Sequence, residues 1–416
     1  PASIYAAGEL RGESLRGHER TLTVMLLALY ASIVLILIAG DALLFLLAWE
    51  VMSILCYLLV VSGRHRENGA QVGSGFLLLA MGEAGTLAAA LGLLLLALGA
   101  GSMEFDALRA ATGSLSEGAR WSVFLLTFFG FGVKAGLVPV NSWLQRAYTA
   151  APRAFAPVLA GATLNLGLYG ILRVNADLLP TTQAGPGLVA LIVGAASALI
   201  GILYATIDND LKAMLAHSSI ENVGIVIAGT GAGMVFHAEG HAALAAIAFV
   251  ASLYHLLNHS LYKTLLFVGV GAVETQTGTR DMDRLGGLIK VMPLVAAAFL
   301  VGALSIAGLP PFNGFVSEWL TLQTMLRSAE LSSIGAKIVF AICGAGLALT
   351  AALAVTCFVK VFAMSFLGMR RLGKEQKIIE PKSGALAPMA ILAVLCLAFG
   401  VLPTYGRVSR YGLIAF

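Results

Sequence analysis

The chain has 416 residues, of which 59% are hydrophobic and only 12% charged, and its mean hydropathy is +0.90. Soluble domains carry about 25% charged residues, so the composition excludes a soluble protein and requires a membrane one. The formal net charge of +4 then bears on which loops hold the positive residues and gives no reason to expect a nucleic-acid partner.

The chain opens on Pro1 in a polar stretch, 1–20, without a cleavable signal, as expected of a piece whose upstream helices are missing. About 20 apolar residues span a bilayer, and eleven segments meet that length: A 21–39, B 42–61, C 72–99, D 121–145, E 155–175, F 187–207, G 213–232, H 242–272, I 291–325, J 335–367 and K 385–402. The expected fold is an all-α polytopic membrane protein of about eleven transmembrane helices. Connections are short, and segments C, H and J are long enough to tilt or to run past the hydrocarbon.

Basic residues divide unevenly between alternate loops. The side holding the N-terminus carries Arg11, Arg16, Arg20, Arg64, Arg66, Arg146, Arg153, Lys212, Arg280, Arg284, Lys290, Arg370, Arg371, Lys374, Lys377 and Lys382, which is 16; the other carries Arg109, Arg120, Arg173, Arg327, Lys337, Arg407 and Arg410, which is 7. That bias predicts a cytoplasmic N-terminus and a basic cytoplasmic loop at 368–384. The remaining Lys134, Lys263 and Lys360 lie inside apolar segments, as do Glu50, Glu83, Glu221 and Glu318. A charge at the bilayer centre costs at least about 2.5–3.5 kcal/mol, so such residues mark function unless they sit near helix ends and snorkel. Lys360 and Glu50 are near enough to segment ends for that alternative to stay open.

Segments D and I are interrupted by matching motifs, GLVPVN at 136–141 and GLPPFN at 308–313. Each is followed by a tryptophan, in NSWL (141–144) and SEWL (317–320), and each lies beside a charge, Lys134 or Glu318. Proline removes a backbone donor and displaces a carbonyl one turn earlier. In hydrocarbon those orphan groups survive only when buried in protein or lining a wet cavity. The fourth and ninth segments cross in opposite directions, so the pair predicts two inverted-topology repeats, 21–175 and 187–367, each with a broken helix. Gly136, Pro139, Gly308, Pro310 and Pro311 are the breaking residues. An extra helix and tail, 385–416, follow.

Segment H carries LYHLLNHSLYKTLLF at 253–267. His255, His259 and Lys263 fall at i, i+4 and i+8 and line one helix face, with Asn258 and Tyr262 beside it. A lysine in that row argues against a metal site, and imidazoles stacked with an amine suit a proton relay. The four cysteines, Cys56, Cys343, Cys357 and Cys396, stand singly without a C-x-x-C or Cys/His cluster. No metal or cofactor is expected in this chain.

VKAGLVPVNSWLQRAYTAAP (133–152), LAHSSIENVGI (215–225), NHSLYKTLLFVGVGAV (258–273) and TGTRDMDRLGGLIKVMP…LPPFNGFVSEW (277–319) resemble the antiporter-like membrane subunits. That superfamily holds the large proton-pumping subunits of respiratory complex I, the Mrp sodium/proton antiporters and the membrane subunits of energy-converting hydrogenases. SSIENVG and TGTRDMDRLGGL look most like the hydrogenase-4 and formate hydrogenlyase branch, component B. The resemblance implies that Glu50 is the carboxylate paired with Lys134, that Lys134 is the proton carrier of the first half-channel, that His255, His259 and Lys263 bridge the midplane, and that Glu318 opens to the far side. It further implies about three helices before segment A, other membrane subunits as partners, a peripheral redox arm of nickel–iron (NiFe) hydrogenase type, lipid surroundings and a prokaryotic plasma membrane.

One departure stands out. Many relatives place a lysine or histidine in segment E where this chain has Asn165, and asparagine cannot take up a proton at neutral pH. Transfer from Lys134 to His255 would then need water or another group such as Glu83. Three function classes follow: a proton-translocating subunit of a hydrogenase-type oxidoreductase complex, an Mrp-type cation/proton antiporter that exchanges a cation such as Na+ for H+, and a non-conducting scaffold. A redox enzyme in its own right is disfavoured, since no dinucleotide-binding glycine motif is present.

Overall fold

A computed structural model of the chain describes residues 1–11, 16–62, 70–372, 378–381 and 383–405. The helices, in order, are α1 (Ala2–Arg11), α2 (Arg16–Ile38), α3 (Ala42–Val61), α4 (Ala70–Ala100), α5 (Phe105–Ala111), α6 (Glu117–Ala135), α7 (Ser142–Ala150), α8 (Ala156–Val158), α9 (Leu164–Leu172), α10 (Ala184–Ile207), α11 (Leu211–Ala238), α12 (Ala242–Thr277), α13 (Pro293–Ile306), α14 (Asn313–Leu326), α15 (Ile334–Phe366) and α16 (Ser383–Tyr405). Among the described residues nine helices are long and apolar enough to cross a membrane; the half-helix pairs α6/α7 and α13/α14 supply the two other crossings. All eleven segments expected from the sequence therefore correspond to helices. Segment G runs on to Ala238 instead of 232, because Met234, Val235 and Phe236 stay buried.

Helix starts follow local chemistry. Asp41 accepts from Leu44 N at 2.8 Å at the head of α3, and Asp210 accepts from Lys212 N and Ala213 N at the head of α11, in each case satisfying an orphan donor. Large apolar side chains such as Leu87, Leu98, Ile342 and Val359 stand exposed on α4 and α15, as a lipid-facing belt requires.

The two breaks share one backbone design. Gly136 ends α6 at φ 75° and Gly308 follows α13 at φ 61°, a left-handed cap that glycine enters without steric cost. A cis X-Pro bond comes next in each, Val138–Pro139 and Pro310–Pro311, and the second half-helices then begin at Ser142 and Asn313. Segment E, lying between the halves, is 156–178 with two π-helical turns, Leu159–Thr163 and Arg173–Leu178, around α9. Such bulges change which face a helix presents and often occur at functional sites.

Ion pairs gather at the two ends of the bundle. At one end Lys212 Nζ lies 3.2 Å from Glu274, Arg280 lies 3.1 Å from Asp210, and Arg371 donates to Met282 O. At the other, Arg109 and Arg173 share Asp177 at 2.9 and 2.6 Å, and Arg120 donates to Pro180 O at 2.6 Å. The alternate-loop division thus places these residues on the two faces expected of them. Arg64, Arg66, Lys374, Lys377, Lys382, Arg407 and Arg410, with the side chains of Arg11 and Arg16, lie outside the described residues; within 368–384 so do 373–377 and 382.

The second half is built around α11, which is buried from Leu211 to Phe236 except at His217. Gly187, Gly194 and Gly201 of α10 meet Gly231, Gly224 and the Glu221 backbone of α11; a Cβ on Gly201 would lie 2.5 Å from Glu221 N. Small residues at seven-residue spacing let two membrane helices approach at backbone distance. That contact fixes where the polar groups of α11 point.

Candidate functional site

In the first half, Lys134 sits in the last turn of α6 and is only 5% exposed. Its Nζ donates to Ser53 Oγ of α3 at 3.4 Å. Glu50, one turn earlier on α3, has Glu83, Thr86 and Lys134 as its polar surroundings, but among the described residues no carboxylate forms an ion pair with Lys134 within 4.0 Å. Trp143 Nε1 donates to Val133 O at 2.7 Å and ties the second half-helix α7 back onto the first. The tryptophan after the break is therefore a brace.

At the centre, α12 presents its row of ring and amine groups to α9, α11 and α14. Asn165 lies where the first π turn hands over to α9. Its amide donates to Ser260 Oγ at 2.6 Å and Gly161 O at 3.1 Å, and its Oδ1 lies 3.0 Å from His259 Nδ1. Since that oxygen accepts, His259 carries its hydrogen on Nδ1 and leaves Nε2 as a buried lone pair without a protein partner among the described residues. The asparagine is thus hydrogen-bonded directly to the bridging row, and it holds one tautomer of His259.

His255 connects the row to the second broken helix. Its Nε2 lies 3.1 Å from Asn222 Oδ1, and its Nδ1 lies 2.9 Å from Ser317 Oγ. The Asn222 amide is committed to Ser218 O at 2.7 Å, so its oxygen accepts from His255 and from Tyr262 OH at 2.6 Å. Asn258 donates to Asn313 O at 2.8 Å and to Ser317 Oγ at 3.1 Å, and Asn313 donates back to Asn258 Oδ1 at 3.0 Å. These bonds tie the first turn of α14 to α12.

Lys263, fully buried, turns away from the histidines towards α11, donating to Ser218 Oγ at 2.6 Å and Leu215 O at 2.8 Å. Glu221 is 1% exposed and lies within electrostatic reach of both Lys263 and Glu318. Glu318 follows its break by ten residues, whereas Lys134 precedes its own, so the two charges stand on opposite sides of the interruptions. The Glu318 carboxylate covers Gly308 so closely that a Cβ there would collide with it. Lys360 donates to Thr206 O at 2.9 Å and Asp208 O at 3.0 Å, which makes it the cap on the end of α10.

The fold therefore brings His255, His259, Asn165, Lys263 and Glu221 into one buried cluster, with the half-buried Glu318 at its edge. Lys134, Glu50 and Glu83 form a second cluster, with Ser53, Cys56 and Thr163 on its inner side. The partners Ser53, Ser218, Asn222, Asn313 and Ser317 were not singled out from the sequence. The available signal was their closeness to a charge within an apolar segment: Ser53 and Ser218 lie three residues from Glu50 and Glu221, Asn222 and Ser317 adjoin Glu221 and Glu318, and Asn313 precedes Glu318 by five. Among the described residues no group of three or more His, Cys, Asp or Glu is placed to hold a metal ion.

An all-helical bundle with two like-built interrupted helices and two clusters of amines, imidazoles and carboxylates inside it has the build of an antiporter-like membrane subunit. The chain belongs to the NADH:quinone oxidoreductase/Mrp antiporter transmembrane family, whose model it matches over residues 39–343. It is 38% identical to hydrogenase-4 component B of Escherichia coli strain K12, over 88% of this chain and 54% of that relative. It is 34% identical to formate hydrogenlyase subunit 3 of the same strain, over 90% of this chain and 59% of that relative. It therefore spans a little over half the length of these two relatives. In fold it is similar to the Mrp complex of Dietzia sp. DQ12-45-1b, with a TM-score of 0.77 and 24% identity over 94% of this chain and 75% of that one.

Proposed function

We propose that the chain is the proton-translocating membrane subunit of an energy-converting, hydrogenase-type oxidoreductase complex of a prokaryotic plasma membrane. The observation that carries the reading is the buried cluster in which His255, His259 and Lys263 are held by side chains of α14, α9 and α11 at hydrogen-bond distance, with Glu318 within electrostatic reach of it through Glu221. A proton arrives from the cytoplasmic face, which holds the N-terminus, at Lys134 near Glu50 and Glu83. It moves to the bare Nε2 of His259, is shared along the row with Lys263, and leaves past Glu318. Asn165 holds the receiving imidazole and any bridging water without itself ionising. Approach or withdrawal of a carboxylate such as Glu50 sets whether Lys134 keeps its proton.

The redox centres belong to partner subunits: other membrane subunits hold this chain, and a peripheral arm of nickel–iron (NiFe) hydrogenase type drives it. The kinship with hydrogenase-4 component B and formate hydrogenlyase subunit 3 supports those partners. The test is redox-driven acidification in membrane vesicles carrying the intact complex. Lys134→Ala lowers it and Glu318→Ala abolishes it; undiminished pumping in both would end the proposal.

A second reading is an Mrp-type cation/proton antiporter, favoured by 30% identity to the Na(+)/H(+) antiporter subunit A1 of Staphylococcus saprophyticus over 96% of this chain. Replacing sodium by choline in the transport assay separates the two, since only the antiporter then loses activity. A non-conducting scaffold, favoured by Asn165, is the outcome if neither ion moves.

A further inference from the structure

The polar groups of the second half extend beyond the row on α12, towards the membrane face that holds residues 208–212. There Asp208 Oδ2 lies 2.7 Å from His217 Nδ1, and both side chains are partly accessible, at 26% and 17%. Lys360 arrives from α15 at the same place, on the carbonyls of Thr206 and Asp208. From this mouth two helix faces lead inward together. On α11, Glu221 is one turn, about 6 Å, deeper than His217; on α15, Cys357 is three residues deeper than Lys360. Cys357 is fully buried and has Thr206, Glu221, Lys263 and Lys360 as its polar neighbours. The seam between α10, α11 and α15 is therefore polar from the surface pair Asp208–His217 to the buried Glu221, and Glu221 ends it beside Lys263.

A buried carboxylate is expensive in a membrane unless it is paired or used. Among the described residues the one hydrogen bond to Glu221 comes from the Asn222 amide at 3.3 Å, and the Lys263 ammonium is bonded elsewhere, to Ser218 and Leu215. The carboxylate is thus held near Lys263 without being locked to it, as a transfer group needs to be.

We propose that this seam is a proton-access route of its own: a proton taken up at Asp208–His217 passes to the Glu221 carboxylate and from it to the Lys263 amine, loading the bridging lysine without crossing Asn165. Water completes the hydrogen-bonded path between His217 and Glu221 when the seam opens. The inference rests on the translocation reading above and adds a second point of uptake on the same face as the first.

The test uses vesicles carrying the intact complex and takes two readings. Redox-driven pumping falls about tenfold or more in Glu221→Gln and largely returns in Glu221→Asp. Asp208→Asn and His217→Gln, at the accessible mouth where folding is not at stake, each lower it severalfold. Independently, in a variant with Cys56, Cys343 and Cys396 replaced by Ala, Cys357 reacts during turnover with a small cationic, membrane-impermeant methanethiosulfonate. The reaction is severalfold faster when the reagent is on the face of Asp208 than on the other face. If Glu221→Gln pumps within twofold of the parent while Glu318→Ala abolishes pumping, the seam is overturned and the translocation reading stands. If neither substitution changes pumping, both fall. Equal reaction of Cys357 from the two faces, or none, also overturns the seam.

Discussion

Lys263→Met separates the cost of the site from its use. The ammonium makes two hydrogen bonds to α11, at 2.6 and 2.8 Å. Between membrane helices such bonds contribute about 0.6–2 kcal/mol each, or about 1–4 kcal/mol together. Removing the charge returns about 2.5–3.5 kcal/mol of insertion cost. The acceptors keep other donors: Leu215 O still accepts from the Ser218 and Ser219 hydroxyls at 3.2 and 3.0 Å and Glu221 from the Asn222 amide, and methionine fills the volume. The opposed contributions cancel to within about 2 kcal/mol, so the variant assembles at the parent level. A relay that has lost its bridging amine slows by about a hundredfold or more. The assay pairs complex content, by detergent extraction and gel mobility, with redox-driven acidification of vesicles. Pumping above about a tenth of the parent rate at equal content would refute the role given to Lys263; failure to assemble would refute the energy balance.

Three further substitutions probe separate parts of the argument. Gly201→Ala puts a methyl 2.5 Å from Glu221 N, about 0.9 Å inside ordinary contact, so α10 and α11 must part; thermal stability of the extracted protein falls by about 1–3 kcal/mol, and pumping falls with it as Glu221 shifts. Asn165→Leu strips His259 of its one side-chain partner and leaves both ring nitrogens unpaired, at a cost of about 1–3 kcal/mol; pumping is lost, while Asn165→Gln recovers part of it. Lys212→Met removes the 3.2 Å pair with Glu274 and the bond to Ala151 O at 3.0 Å. Arg280 remains 3.8 Å from Glu274, so the cost is about 2 kcal/mol, below the full penalty for breaking a buried pair, with turnover per assembled complex unchanged. Melting curves in detergent check the first and third, and vesicle pumping the second.

Much of the architecture was legible because a bilayer imposes a one-dimensional rule. Apolar length marks each crossing, and all eleven crossings were found by it. The breaks at Gly136–Pro139 and Gly308–Pro311 were equally plain, since glycine and paired proline have few reasons to interrupt an apolar run. Their matched left-handed caps and cis bonds were not readable, although the similarity of GLVPVN to GLPPFN pointed to a shared design. The row His255–His259–Lys263 followed from helical period alone. Less legible was the direction of each group: period places Lys263 on the histidine face, yet its ammonium turns to Ser218 and Leu215 of α11, which pack against that part of α12.

The sequence by itself determined that this is a membrane bundle, where its helices run, which two are broken and which buried groups are ionisable. Each of those properties follows from hydrophobic length, backbone chemistry or spacing within one helix. Only the tertiary structure decided which groups share a neighbourhood. It joined Asn165 to His259, set Glu221 within reach of Lys263 and Glu318, seated Lys134 on Ser53, and reduced Lys360 to a cap on α10. Those pairings depend on contacts between helices that lie 40 to 150 residues apart in the chain, and no periodicity within a helix encodes the rotation of its neighbour.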